Sequence, residues 1–107
     1  MIVTLQELKA VLERTGLPIV YDFWPMNEAP ELPWICYREL SSANLFADGQ
    51  VYFRLSFVDI DLYVRRKDPD SEALVEAALD GAGLCWEKTE TFVQSEDCYQ
   101  IKYQIEV

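Results

Sequence analysis

The side chains best suited by type and spacing to do chemistry are Asp59 and Asp61. They stand two apart in an extended run, and residues two apart on a strand project from one face. Two carboxylates so placed could hold a cation or divide acid and base work. The plainer reading is that they mark the solvent side of a half-exposed strand. Asp68, Asp70 and Glu72 have the opening spacing of a calcium loop. The glycine and distal glutamate of such a loop are missing, and Pro69 makes the run a helix start. Of the three cysteines, Cys36, Cys85 and Cys98, no two form a CxxC pair, and the chain has no histidine to activate a thiol. They read as buried apolar thiols, not as a disulfide framework, a zinc ribbon or a nucleophile. Motifs for dinucleotides, nucleotide phosphates, zinc proteolysis, serine hydrolysis and EF-hand calcium are absent from the sequence. The expectation is a protein that is not an enzyme and has no catalytic residue, cofactor or metal. Its function would then be contact.

Two further groups admit a ligand reading. Trp24, Trp34, Trp86 and six tyrosines could stack bases or sugars. In a small sheet protein they more often build core and interface. Arg65, Arg66 and Lys67 could meet phosphate, but acidic residues follow at once, and such a run usually solubilises a strand end.

The elements that must carry these residues are legible. Thr4 and Glu7 form a capping box, and Leu5, Leu8, Val11 and Leu12 recur on one helical face, which predicts a helix over 5–15. Gly16 and Pro18 end it. Residues 18–24 read as a strand, 25–33 as a proline-rich loop, and 34–39 as a second strand. Residues 41–44 read as a connector, with a short strand at 44–47 leading into an Asp48–Gly49 hairpin turn. A long strand covers 50–66. Asp68 caps a helix that opens at Pro69, has Leu74, Val75, Ala78 and Leu79 as its buried stripe, and ends at Gly81 and Gly83. Asp70 and Glu72 suit the positive end of its dipole. A closing hairpin follows: a strand over 84–93, a turn at 94–97 and a strand over 98–107, whose Tyr99, Ile101, Tyr103, Ile105 and Val107 share a face.

The long strand changes its apolar side. Val51, Phe53, Leu55 and Phe57 are odd-numbered, whereas Val58, Ile60, Leu62 and Val64 are even-numbered. The apolar set therefore crosses faces between Phe57 and Val58. A bulge would restore one core; a strand that leaves its sheet would bury the other face elsewhere, against a neighbouring subunit; or there are two strands. A bulge or bend is the leading expectation.

The fold class expected is α+β: one mostly antiparallel sheet with two helices packed on one face, in the order α-β-β-β-β-α-β-β. The 107 residues fit a single domain, 1–107. No apolar run reaches the ~20 residues of a membrane span. The first residues carry acid and no early basic cluster, unlike a signal peptide, so a cytoplasmic protein is expected. Nineteen acidic residues against nine basic ones, net −10, disfavour nucleic-acid binding. They suit plain solubility, a basic protein partner, or a surface that repels DNA.

A further indication comes from motifs. A VYDFWP strand, a proline-rich loop and a PWICY strand precede NLFADGQVYFRLSFVDIDLYVRRKDPDSEALVEAAL and a closing CYQIKYQIEV strand. Over about residues 18–107 this layout resembles the small tail-completion proteins of long-tailed bacteriophages and prophages, the tail terminator and tail-to-head joining group. The resemblance implies a sheet flanked by helices. It also implies a virion-assembly protein that forms a ring, commonly a hexamer, on the head-proximal end of the tail. The ring would stop growth of the tail tube and help join tail to head. Implied partners are other copies of the chain, the major tail tube protein and the head connector or completion protein, with no membrane and no sequence-specific nucleic acid. Its location would be the host bacterial cytoplasm during assembly, then the virion tail. Ring-forming tail proteins can stay monomeric until they meet the tube. An acidic ring would present negative charge to a lumen through which DNA slides. Expected contact residues are Pro25, Met26, Pro30, Leu45, Phe46, Val58, Ile60 and Leu62, in the loops at 25–33 and 40–50 and in the 57–64 half of the long strand. The alternative is a small acidic inhibitor or DNA mimic that binds a basic protein. A mimic needs carboxylates arrayed along one face, whereas here they are scattered and interleaved with cations.

Overall fold

Alternation in the last strand and in the second half of the long strand builds a single apolar sheet face, and both helices close over it. The computed structural model describes residues 4–25, 27–47 and 50–107, and the side chains of all of these except 43–47 and 50–55. The elements run α1 (Leu5–Glu13), β1 (Ile19–Tyr21), β2 (Trp34–Ala47), β3 (Gln50–Val64), α2 (Pro69–Gly81), β4 (Trp86–Val93) and β5 (Cys98–Glu106). One five-stranded sheet has the order β1-β2-β3-β5-β4. Among the described residues only the β1–β2 pair is parallel; the other three are antiparallel. The fold is therefore α+β with a mixed, mostly antiparallel sheet.

Three boundaries differ from expectation for physical reasons. Residues 34–47 form one strand, not a strand, a connector and a second short strand, so three strands precede α2 instead of four. β1 stops after three residues because Asp22 takes a positive φ of 71° and its N–H donates to the Tyr37 carbonyl. That reversal leaves Phe23 exposed and turns Trp24 back over Trp34. β4 begins at Trp86, because Leu84 still belongs to the helix end: its N–H bonds the Leu79 carbonyl at 3.0 Å. The αL residue of that helix end is Gly83, at φ +73°.

Each helix is started by its own cap. The Glu7 N–H donates to Thr4 Oγ1 at 3.1 Å, while the Thr4 hydroxyl donates to Glu7 Oε1. The Ser71 N–H and hydroxyl donate to the two Asp68 carboxylate oxygens at 3.1 and 2.6 Å, and this holds the Asp68 carboxyl below its usual pKa.

Leu8 and Leu12 of α1 and Val75 and Leu79 of α2 pack on Ile35, Tyr37, Val58, Ile60, Leu62, Val64, Ile101, Tyr103 and Ile105. These strand residues occupy one face, as the register pairs Ile35 with Leu62 with Ile101, and Tyr37 with Ile60 with Tyr103. Both helices thus lie on the same side. Leu74, expected in the α2 stripe, is exposed.

β3 carries no bulge at its face change, so its alternation runs on through the Phe57–Val58 step. β3 itself pairs with β5 without a slip from Phe57–Glu106 to Val64–Tyr99. The irregularity lies on β2, between Glu39 and Ser41, so Leu40 is the extra residue opposite the step from Val58 to Phe57. β5 ends here as well, where Ser56 and Val107 exchange both backbone hydrogen bonds at 2.7 and 2.9 Å. Beyond this point 43–47 pair only with 50–55 among the described residues, as a two-stranded ribbon. A second register shift falls between Leu45 and Phe46. The turn signal at 48–49 lies outside the described residues. The ribbon makes the molecule long: 51 × 28 × 22 Å.

Candidate functional site

The sheet face away from the helices carries the two aspartates, and their environments differ. Asp59 is only 4% exposed. Its Oδ2 lies 3.1 Å from Lys102 Nζ, reaching diagonally from β5, whereas Oδ1 has no hydrogen-bond partner among the described residues. The expectation that this pair marks the solvent side holds for the face but not for Asp59, which its neighbours cover. Asp61 accepts a hydrogen bond from Gln100 Nε2 at 2.9 Å. Burial raises the Asp61 pKa, and Gln100 and Lys102 work against the shift. Each carboxylate thus has a separate partner.

An aromatic cluster closes the far end of this face. Trp24 meets Trp34 edge-on, and Trp34 lies 4.6 Å from Tyr63, centroid to centroid. Burial, then the Asp61 charge, pushes the Tyr63 hydroxyl up to about 12. Beside it Cys36 is pushed up to about 12, first by burial and then by Asp61 and Asp22. A thiol held that high stays protonated and inert. Cys98 is buried and also raised, but Cys85 is exposed, so the expectation of three buried thiols fails at that position.

The other side of the sheet holds a charge network that sequence reading missed. Glu72, assigned to the helix dipole, points instead beneath β4 and is 3% exposed. Lys67 Nζ lies 2.7 Å from its Oε2 and Lys88 Nζ 3.1 Å from its Oε1. Lys88 also reaches Glu76 at 2.9 Å, Lys67 reaches Glu90 at 2.7 Å, and the Tyr103 hydroxyl donates to Glu76 at 2.7 Å. Burial works to raise the Glu72 pKa, but the two ammonium groups win and hold it below the ordinary value. Burial and the Glu76 hydrogen bond together raise Tyr103. The one available signal was spacing: Glu72 and Glu76 are four apart and flank Val75 and Leu79 on a helical face. The network bolts an edge strand to a helix.

At the foot of the ribbon, where β5 stops, a cavity of about 680 Å³ opens between β3, β5 and the start of β4. Leu40, Phe57, Leu84 and Trp86 give it apolar walls, and Asp59, Glu87, Gln104 and Glu106 give it polar ones. Among the described residues, no three acidic or thiol side chains are grouped to hold a metal ion.

The expected contact residues do not converge. Val58, Ile60 and Leu62 are at most 1% exposed beneath the helices, so their surface is used within the subunit. That corrects the reading of the 57–64 half-strand as a face for a neighbour: its even residues are core, and its odd ones line the opposite face. Pro25 is exposed and Pro30 half-buried in the loop after β1. Met26 lies outside the described residues, as do the side chains of Leu45 and Phe46, whose backbone belongs to the ribbon. No described helix is long and apolar enough to cross a membrane. The chain matches no protein-family model and no curated protein.

Proposed function

We propose that this chain is a structural assembly protein that completes a phage tail: copies of it cap the tail tube as a ring and help join the tail to the head. The observation that carries the reading is the β2–β3 ribbon. From Ala43 and Leu55 outward the two strands pair only with each other among the described residues, with both outer edges open. An isolated two-stranded ribbon is marginal in water, and an open edge invites another strand. A protein that extends such a ribbon from a well-packed sheet gains most by docking it on a second subunit. The ribbon segments also carry Leu45, Phe46, Val51, Phe53 and Leu55 in their sequence. Tail completion is the form of assembly that the motif layout suggests.

The test is mass by light scattering across concentration, alone and with a tail-tube subunit, for the natural chain and for a variant in which a two-residue Asn-Gly turn joins Ser42 to its register partner Ser56. The expected result is a discrete ring, alone or on the tube protein, that the shortened but still folded variant cannot form. A natural chain that stays monomeric at every concentration and ignores the tube subunit overturns the proposal.

A further inference from the structure

We infer that the cavity at the foot of the ribbon is a docking site for an arginine side chain presented by a partner protein. This goes beyond the assembly reading and does not depend on it. Three observations carry it.

The first is an unmet charge. Asp59 is 96% covered, yet Lys102 engages only one of its carboxylate oxygens, leaving Oδ1 without a partner among the described residues. A buried carboxylate oxygen in that state is costly and is ordinarily matched by a donor. Arg38, opposite Asp59 in the β2 register, is turned instead to Asp22 at 3.6 Å.

The second is the arrangement around it. Gln104 pairs with Asp59 on one side and Glu87 on the other, and Glu106 follows two residues along β5. Three carboxylates therefore neighbour one glutamine in the register, and among the described residues no lysine or arginine lines the cavity. The third is the wall. Phe57, two residues from Asp59 and opposite Glu106, puts an aromatic ring on the Asp59 face, and Leu40, the extra residue at the bulge, adds exposed apolar surface. A flat cation on an apolar stem meets all three conditions. A guanidinium can bind a carboxylate through two parallel N–H groups while its plane lies on an aromatic ring, which an ammonium cannot do. The cavity is roomy enough for that side chain and its flanking backbone. Charge complementarity points the same way, because the net charge of −10 attracts basic protein surfaces.

The probe is N-acetyl-arginine amide, with its neutral citrulline counterpart and spermidine as comparators, followed by backbone amide shifts. Saturable shifts are expected at 57–59, 84–87 and 104–106 with arginine and none with citrulline. Asp59→Asn should weaken binding by about tenfold or more. Because that change also unpairs Lys102, Glu106→Gln and Glu87→Gln, both at exposed positions, serve as variants that keep the fold; each should weaken binding too. Equal shifts with citrulline overturn the inference, as do arginine shifts spread over the whole acidic surface. Tight spermidine binding without arginine binding also overturns it, and assigns the site to free polyamines instead.

Discussion

Replacing both lysines around Glu72, as Lys67→Met with Lys88→Met, should change how stability depends on pH. In the natural chain the Glu72 carboxyl is held below its ordinary 4.5. Its contribution is therefore fully present above that value and is lost as pH falls through the lowered folded pKa. Without the lysines, burial is left as the dominant influence and raises the folded pKa above the unfolded one. The cost then applies in full at neutral pH and disappears as pH falls toward 4.5. Leaving a buried carboxylate without its cationic partner costs ~3–5 kcal/mol. Glu72 is 3% exposed but lies beneath an edge strand, so the double variant should lose about the lower figure, ~3 kcal/mol, at pH 7. Urea unfolding followed by tryptophan fluorescence from pH 5 to 7.5 measures this: the gap between the natural and variant proteins should narrow steadily as pH drops. Adding Glu72→Gln to the double variant should recover most of the loss and flatten the gap, since Glu76 keeps its hydrogen bond from Tyr103. A gap of constant size at every pH, or no recovery from Glu72→Gln, would show that the lysines act through packing and not through this buried charge.

Other perturbations follow from single contacts. A disulfide dye at pH 8 should react fast with one thiol, Cys85, in the native protein and with all three after unfolding, because Cys36 and Cys98 are covered and raised. Asp68→Ala removes both Ser71 hydrogen bonds and should cost ~1 kcal/mol in urea unfolding. That loss should shrink on acidification below the ordinary Asp value, since the lowered pKa of Asp68 confines its contribution to higher pH. Leu79→Ala opens a void between α2 and the sheet and should cost ~2–5 kcal/mol by the same assay.

The signals that sequence made legible were local ones. A cap with its periodic stripe fixed both helices to within two residues at their ends, and strict alternation fixed β5 and its buried face. Polar residues misled at 41–44, because Ser41, Ser42 and Asn44 look like a connector but lie in a ribbon whose backbone is fully paired to β3. The Phe57–Val58 step was visible, but the bulge beside it was not where expected: the extra residue belongs to the partner strand, and register between strands is not written in either strand alone. Glu72, Lys88 and Asp59 were illegible for the same reason. Their partners come from other elements, and only the packed sheet brings a helix carboxylate under β4 or Lys102 diagonally to Asp59.

The strand order has a kinetic consequence. β3 sits in the middle of the sheet, yet its partner β5 follows only after a helix and another strand. Ladders between distant segments form slowly, and until this one closes, an apolar strand edge waits in the open. Two waiting chains could join there in the antiparallel sense. Centred on Ile60, such a pairing sets Asp59 of each chain against Asp61 of the other, and like charges directly opposite repel. That pairing therefore carries a repulsion that the native ladder lacks. In the native sheet β5 takes this edge and sets Gln104 and Lys102 opposite Asp59 and Asp61, with the Lys102 ammonium 3.1 Å from Asp59.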